Sequence, residues 1–172
     1  MRLFIGLEPA LDFRNALLSL QENLRGAGIS ARYYVPSNFH MTLAFVGEWP
    51  EDITHLLPKV SAPFSVTLSY AGIFPKADVL YAGVKPSKEL DELAERVRCR
   101  LQENGIPFDP KPFYPHITLA RKAALPERVD LEEITIPAAV MTVRDVCLYK
   151  SEHGEEGMEY TVIGRSETCT AE

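Results

Sequence analysis

A short internal repeat is the feature that most constrains how this chain folds. Residues 40–45 read His-Met-Thr-Leu-Ala-Phe, and residues 116–121 read His-Ile-Thr-Leu-Ala-Arg. The surroundings repeat as well, since FIGLEP precedes a helical pattern upstream of the first copy and YAGVKP precedes one upstream of the second. Given the composition of the chain, two such similar stretches are very improbable by chance. The repeat therefore predicts two similar units related by a pseudo-twofold axis.

The spacing within the repeat indicates which side chains share a face. Residues two apart in a strand point the same way, so His40 and Thr42 project together while Met41 and Leu43 point into the core. The second copy repeats this alternation. If the two units face each other, two imidazoles and two hydroxyls meet in one groove.

Two imidazoles and two hydroxyls suit acid–base chemistry at phosphorus. A neutral imidazole takes a proton from attacking water, and a protonated one supplies a proton to the leaving oxygen. The hydroxyls of Thr42 and Thr118 are able to donate hydrogen bonds to nonbridging phosphate oxygens, and Arg121 adds a fixed positive group. His40 and His116 are thus the candidate catalytic pair. No cluster at ligand spacing calls for a metal, and no cofactor is expected.

Periodicity predicts an α+β fold made of alternating strands and two clear helices. The first helix ends at Gly26 and Gly28, and the second spans about 87–103, with Ser87 as N-cap and Asn104-Gly105 as its stop. A short helix is predicted around 51–57. Residues 139–149 and 158–164 are predicted to form a hairpin with its turn at 151–157, followed by a frayed tail at 166–172. The remaining strands are predicted at 2–7, 31–35, 39–47, 64–70, 79–84 and 116–120.

Composition narrows the class of protein. A chain of 172 residues fits one domain, here a single bilobal domain over residues 1–172. The net charge of −6 disfavours a general binder of duplex nucleic acid but allows a local basic pocket for one phosphate. Three cysteines without a CxxC pair favour reduced thiols. With no signal-peptide pattern and no long apolar run, a cytoplasmic protein without a membrane partner is expected.

The repeat and its flanking phrases resemble those of a known family. The two His-x-Thr motifs are typical of the two-histidine (2H) phosphoesterase superfamily. Within it the chain is most similar to bacterial and archaeal RNA 2′,3′-cyclic phosphodiesterases, also called LigT-like proteins or 2′–5′ RNA ligases. The resemblance covers nearly the whole chain and includes the stretches RLFIGLEP, VPSNFHMTLAFVGE, KPFYPHITLAR and LYKSEHGEEGMEYTVI.

The resemblance implies a bilobal α+β fold, with an antiparallel sheet in each lobe and the site in the cleft between them. It implies hydrolysis of a terminal 2′,3′-cyclic phosphate on RNA to a 2′-phosphate, without a cofactor. His40 matches the proton donor to the leaving 3′ oxygen and His116 the proton acceptor from water, while Thr42, Thr118 and Arg121 match the phosphate contacts. RNA ends or cyclic nucleotides are the expected partners of a monomer, and 2′–5′ ligation is the expected reverse reaction.

Several alternatives stay open at this level. Tyr34, or Tyr33 beside it, is a candidate for stacking on a terminal base, with packing as the alternative role for both. Tyr114 is expected to pack in the core, His55 to be a surface or packing residue, and His153 to be solvated. The substrate is alternatively ADP-ribose 1″,2″-cyclic phosphate or a 2′–5′-linked oligoadenylate. A non-catalytic module that binds RNA ends is the alternative from another class.

Overall fold

The computed structural model describes residues 1–168, which form two antiparallel sheets and two long helices. Short 3-10 helices lie at Pro36–Asn38, Thr54–Leu56 and Leu131–Glu133. The other elements, in chain order, are β1 (Arg2–Leu7), α1 (Leu11–Gly26), β2 (Ser30–Tyr33), β3 (Met41–Glu48), β4 (Phe64–Phe74), β5 (Val79–Val84), α2 (Lys88–Glu103), β6 (His116–Ala124), β7 (Val140–Val143), β8 (Cys147–Gly154) and β9 (Gly157–Arg165).

The strand order confirms the two repeated units. The first sheet has the order β3-β1-β8-β9 and the second has the order β2-β6-β5-β4-β7. In each sheet, the strand before a long helix pairs antiparallel with the strand that carries a His-x-Thr motif: β1 with β3, and β5 with β6. Strand β2 breaks this symmetry, because it precedes β3 in sequence but pairs with β6 in the other sheet.

Local signals place both helices where the sequence predicted them. The Oγ atom of Ser87 accepts a 3.1 Å hydrogen bond from the backbone N–H of Leu90, so the predicted N-cap of α2 is present. Gly28 and Gly105 follow the two helices with φ values of +98° and +69°, a conformation that glycine adopts without a steric penalty. The apolar stripe of α1 is buried at Phe13, Leu17, Leu20 and Leu24.

The buried apolar residues of both sheets and both helices form one continuous core. A second, smaller cluster of Phe4, Cys147 and Tyr149 lies on the opposite face of the first sheet. That face also carries His40, whose ring contacts Phe4. The helices and the core thus cover one face of each sheet, and the opposite faces are left for the site.

The C-terminal third differs from its predicted arrangement. Residues 139–149 do not form one strand, because β7 pairs with β4 whereas β8 pairs with β1 and β9. The hairpin turn is also tighter than predicted: Gly154 pairs with Gly157, whose φ of +118° suits a two-residue loop. Strand pairing therefore continues through residues 151–153, which the sequence analysis had assigned to the turn.

Two smaller predictions need correction. The helix expected at 51–57 is a single 3-10 turn at Thr54–Leu56, because the chain before it forms a local turn in which the Asp52 carboxylate accepts hydrogen bonds from Thr54. The tail does not fray at Ser166, which is buried and exchanges hydrogen bonds with Val146. The expectation for residues 169–172, including Cys169, lies outside the described residues. Cys99 and Cys147 are free thiols.

Neither helix in the described residues has the length and apolar character needed to cross a membrane.

Candidate active site

A bulge explains why both motifs continue with Leu-Ala. In each copy the motif threonine and alanine pair with consecutive residues of the neighbouring strand. The leucine between them, Leu43 in β3 and Leu119 in β6, is therefore an extra residue. Leucine and alanine are both fully buried, and the next residue returns to the face that carries the histidine. In the second copy this residue is Arg121, and in the first it is Phe45.

Each bulge is held by a side chain from the helix of the other unit. Gln21 of α1 donates a 3.0 Å hydrogen bond to the carbonyl oxygen of Leu119, and Arg98 Nε of α2 donates a 3.1 Å bond to that of Leu43. Both donors lie ten positions after the first residue of their helices, Leu11 and Lys88. The repeat therefore extends to these contacts, and each helix fixes the catalytic strand of the opposite unit.

The two motif histidines have matching hydrogen bonds. Nδ1 of His40 lies 2.8 Å from the carbonyl oxygen of Asn38, and Nδ1 of His116 lies 2.7 Å from that of Tyr114. A carbonyl oxygen only accepts, so Nδ1 carries a proton in both rings. Nε2 is then free to accept a proton in the neutral ring or to donate one in the protonated ring. Both histidines are thus in the tautomer that general acid–base catalysis requires.

His40 has an apolar, aromatic environment. Its ring centroid lies 4.6 Å from that of Phe4, 4.9 Å from Tyr160 and 5.6 Å from Tyr149. Burial among these rings, together with the positive charges of His116 and Arg121 and against the opposing hydrogen bond to Asn38, lowers the pKa of His40 to about 4. At this pKa His40 is neutral at pH 7.

His116 lies among a second set of aromatic rings. Its centroid lies 5.0 Å from that of Phe74, 5.7 Å from Tyr81 and 6.2 Å from Tyr114. Burial lowers the pKa of His116 below its ordinary value, and the charge of Arg121 acts in the same direction. Because a proton on His116 lowers the pKa of His40, the two rings titrate as a coupled pair.

The threonines share the faces of their histidines. Thr42 pairs with Gly6 in β1, and Thr118 pairs with Tyr81 in β5. A Cβ atom at Gly6 would overlap the backbone carbonyl oxygen of Met41, so only glycine permits β1 and β3 to approach this closely beside the motif. The predicted pattern of one imidazole and one hydroxyl per strand face is therefore present in both units.

Arg121 is oriented by Tyr34. Its Nε donates a 2.6 Å hydrogen bond to the Tyr34 hydroxyl, and its guanidinium carbon lies 5.7 Å from the centroid of the same ring. Tyr160, from the first sheet, lies 6.4 Å from Tyr34. These residues and Asn38 line a cavity of about 610 Å³ between the two sheets. This volume is in the range of small-ligand sites.

The structure brings the catalytic candidates together and changes the interpretation of one neighbour. Tyr114 is not a core residue: its side chain is 46% exposed, and its hydroxyl bonds to other tyrosines. The aromatic rings around the histidines were missed, although the aromatic residue at the third position of each of β1, β5 and β8 is a readable signal. His55 and His153 are exposed, as predicted. No cluster of three or more potential metal ligands occurs within residues 1–168.

Comparison with known proteins places these features in a family context. Residues 16–155 match the model of the 2′-5′ RNA ligase superfamily. The RNA 2′,3′-cyclic phosphodiesterase of Thermus thermophilus is 32% identical over 95% of this chain and 88% of its own length. That of Escherichia coli is 30% identical over 95% of this chain and 94% of its own. The crystal structure of Escherichia coli LigT complexed with 3′-AMP aligns with a TM-score of 0.76 at 26% identity, covering 95% of both chains.

Proposed function

Because the chain belongs to the 2′-5′ RNA ligase superfamily, we propose that it hydrolyses the terminal 2′,3′-cyclic phosphate of RNA to a 2′-phosphate. The observation that carries this proposal is the matched pair of histidines, each with Nδ1 bonded to the carbonyl oxygen two residues earlier and Nε2 free. Relatives named RNA 2′,3′-cyclic phosphodiesterase, similar over most of the chain, support the choice of substrate.

The proposed reaction is an in-line displacement at phosphorus. Nε2 of neutral His116 accepts a proton from water, whose oxygen forms a bond to phosphorus. The bond between phosphorus and the 3′ oxygen breaks, and Nε2–H of protonated His40 supplies the proton that this oxygen requires. One proton has then moved from His40 to His116 by way of the substrate, and exchange with solvent restores the starting state. With a 5′-hydroxyl in place of water as the nucleophile, the same displacement of the 3′ oxygen forms a 2′–5′ linkage.

The low pKa of His40 fits this role once substrate is bound. In the empty site the ring is neutral, because burial penalises its cation. A cyclic phosphate brings one negative charge into the same low-dielectric space, and an opposite charge within a few ångströms raises the pKa of an imidazole. Substrate binding therefore favours protonation of His40, so the general acid forms when the phosphate is bound.

Thr42, Thr118 and Arg121 are proposed to hold the phosphate. Two hydroxyls and a guanidinium supply hydrogen bonds to nonbridging oxygens, where negative charge must be stabilised during displacement. The cavity beside Arg121 is proposed to receive the terminal nucleoside. The ring of Tyr34 lines that cavity and is the proposed stacking surface for the base.

The proposed function is tested with an oligoribonucleotide that ends in a 2′,3′-cyclic phosphate, incubated with the protein in EDTA. The expected product is a 2′-phosphate, identified by its resistance to a 3′-specific phosphatase. His40→Ala and His116→Ala should each lower turnover by about 10²–10⁴-fold, and His153→Ala serves as a matched control at an exposed histidine. Full activity in both site variants would contradict the mechanism.

A panel of other cyclic phosphates separates the alternatives. If the protein turns over ADP-ribose 1″,2″-cyclic phosphate or 2′–5′ oligoadenylate but not RNA, that compound is the substrate and the proposed mechanism still holds. Binding of an RNA end without product would favour the non-catalytic module. A cytoplasmic location, a monomeric state and RNA as the macromolecular partner remain predictions of the same proposal.

A further inference from the structure

Three tyrosine hydroxyls form a cluster beside His116. The hydroxyl oxygen of Tyr114 lies 2.7 Å from that of Tyr70 and 3.2 Å from that of Tyr81. The register of the second sheet places Tyr81 opposite Thr118, and His116 opposite Gly83. Tyr70 is in turn opposite Gly83. The three phenols are therefore on the face of the sheet that carries the second motif.

Two glycines provide the space for these rings. A Cβ atom at Gly83 would overlap the ring of Tyr70, and a Cβ atom at Gly72 would overlap the ring of Tyr81. Glycine inside a strand lowers stability, and it often marks a position where another group occupies the space of the missing side chain. In β4 and β5 the absent side chains let two tyrosine rings lie flat across the strands, with their hydroxyls meeting at Tyr114. The cluster is thus specified by the sequence at five positions.

Counting protons shows that one hydroxyl is left free to donate. Two hydrogen bonds join three hydroxyls, so at least one of the three protons is unused within the cluster. Either oxygen of each pair is able to donate, and Tyr81 is the buried member of the cluster. With both neighbours donating to Tyr114, the unused O–H is that of Tyr114, which is also the most exposed of the three. The directions of the pKa shifts agree with this arrangement, because burial raises the pKa of Tyr70 and of Tyr81 and the hydrogen bonds lower the pKa of Tyr114.

We propose that the hydroxyl of Tyr114 donates a hydrogen bond to an anionic oxygen of the phosphate held at His116. This inference rests on the proposed function, to which it adds a substrate contact. A hydroxyl that accepts two hydrogen bonds is a stronger donor, because bonds in a chain polarise one another. A negatively charged phosphate oxygen forms a stronger hydrogen bond with such a donor than a neutral acceptor does.

The opposite half of the site has a different residue at the position equivalent to Tyr114. The residue two positions before His40 is Asn38, and its side-chain amide donates a 2.9 Å hydrogen bond to the carbonyl oxygen of Met158. The phenols beside His40 are instead those of Tyr149 and Tyr160, which come from β8 and β9. The three-hydroxyl cluster therefore makes the two halves chemically different although their backbones repeat.

The test compares Tyr114→Phe with Tyr70→Phe and Ser65→Ala. Tyr114→Phe removes the donor, whereas Tyr70→Phe keeps it and removes one polarising bond. Ser65→Ala is the control, because it removes an exposed hydroxyl from β4, the strand of Tyr70, at a position that does not line the cavity. Two quantities are measured: kcat/KM for the cyclic phosphate and Kd for inorganic phosphate by calorimetry. We expect Tyr114→Phe to lower kcat/KM by about 10- to 100-fold and to weaken phosphate binding by about 10-fold.

Tyr70→Phe should have a smaller effect and Ser65→Ala almost none. The inference is overturned if Tyr114→Phe stays within about twofold of wild type in both measurements, or if Tyr70→Phe has the larger effect. A shifted titration of the His116 ring in Tyr114→Phe, followed by NMR, would also overturn it by showing a purely positioning role. If wild type binds phosphate but hydrolyses no cyclic phosphate, the proposed function fails while the binding comparison still decides the role of Tyr114.

Discussion

The side-chain amide of Gln21 donates to the carbonyl oxygen of Leu119, 98 residues away, at the bulge that follows the second catalytic motif. The same nitrogen lies 2.9 Å from the carbonyl oxygen of Tyr34. Arg98 makes the equivalent contact to Leu43 from the other helix. Each motif strand is therefore held in part by a side chain from the helix of the opposite unit.

Replacing Gln21 with leucine should loosen the site as well as the fold. Gln21 is fully buried, so Gln21→Leu leaves two buried carbonyl oxygens with one fewer donor. We expect the free energy of unfolding to fall by about 1–3 kcal/mol, measured by urea denaturation, and kcat to fall more than KM rises. The control is Asn23→Ala on the same helix, which removes an exposed hydrogen bond to the carbonyl oxygen of Thr135. This variant should lower the free energy of unfolding by less than Gln21→Leu does. Equal effects of the two variants would argue against a special role for Gln21.

The maximum of kcat/KM as a function of pH should lie on the acid side of neutrality. Free protein is competent only when one histidine is neutral and the other protonated. The pKa of His40 is about 4 and that of His116 is below its ordinary value. The fraction with one proton on the pair therefore peaks below pH 6.5 and declines as pH rises through neutrality. Initial rates at low substrate concentration from pH 4 to 9 measure this profile, and a maximum above pH 7.5 would contradict it.

Much of this arrangement was predictable from local sequence signals. The motif strands, both long helices and the N-cap at Ser87 follow from periodicity and capping rules that act over a few residues. The division of residues 139–149 was not predictable, because β7 and β8 have similar local patterns and differ only in the distant strands they pair with. The hydroxyl cluster around Tyr114 was missed for the same reason, since the partners of Tyr114 lie 44 and 33 residues away.

Gly6 should tolerate no side chain. Gly6→Ala places a methyl group against the backbone carbonyl of Met41, which has no flexible end to move aside. Overpacking of this kind costs about 1–3 kcal/mol, and the displacement of β3 should lower kcat because His40 directly precedes that strand. Gly26→Ala is the matched control: a Cβ atom there contacts nothing within 4 Å. Because Gly26 ends a helix, alanine should leave stability unchanged or slightly raised. Thermal unfolding and initial rates of both variants measure this difference.

Tyr34 should contribute to catalysis through Arg121. Tyr34→Phe keeps the aromatic ring over the cavity but removes the hydroxyl that accepts the bond from Arg121 Nε. The guanidinium then loses its orientation while keeping its charge, so we expect kcat/KM to fall by about 3- to 10-fold. Arg121→Lys should have a larger effect, of about 10- to 100-fold, because an ammonium group lacks the planar fork that matches phosphate oxygens.

Arg144→Lys is the control for Arg121→Lys, since Arg144 is exposed and does not line the cavity. It should change kcat/KM by less than about twofold. If Tyr34 acted only by stacking on the base, Tyr34→Phe would match wild type and Tyr34→Ala alone would raise KM. The order of the three effects, Arg121→Lys above Tyr34→Phe above Arg144→Lys, therefore separates orientation of the guanidinium from base stacking.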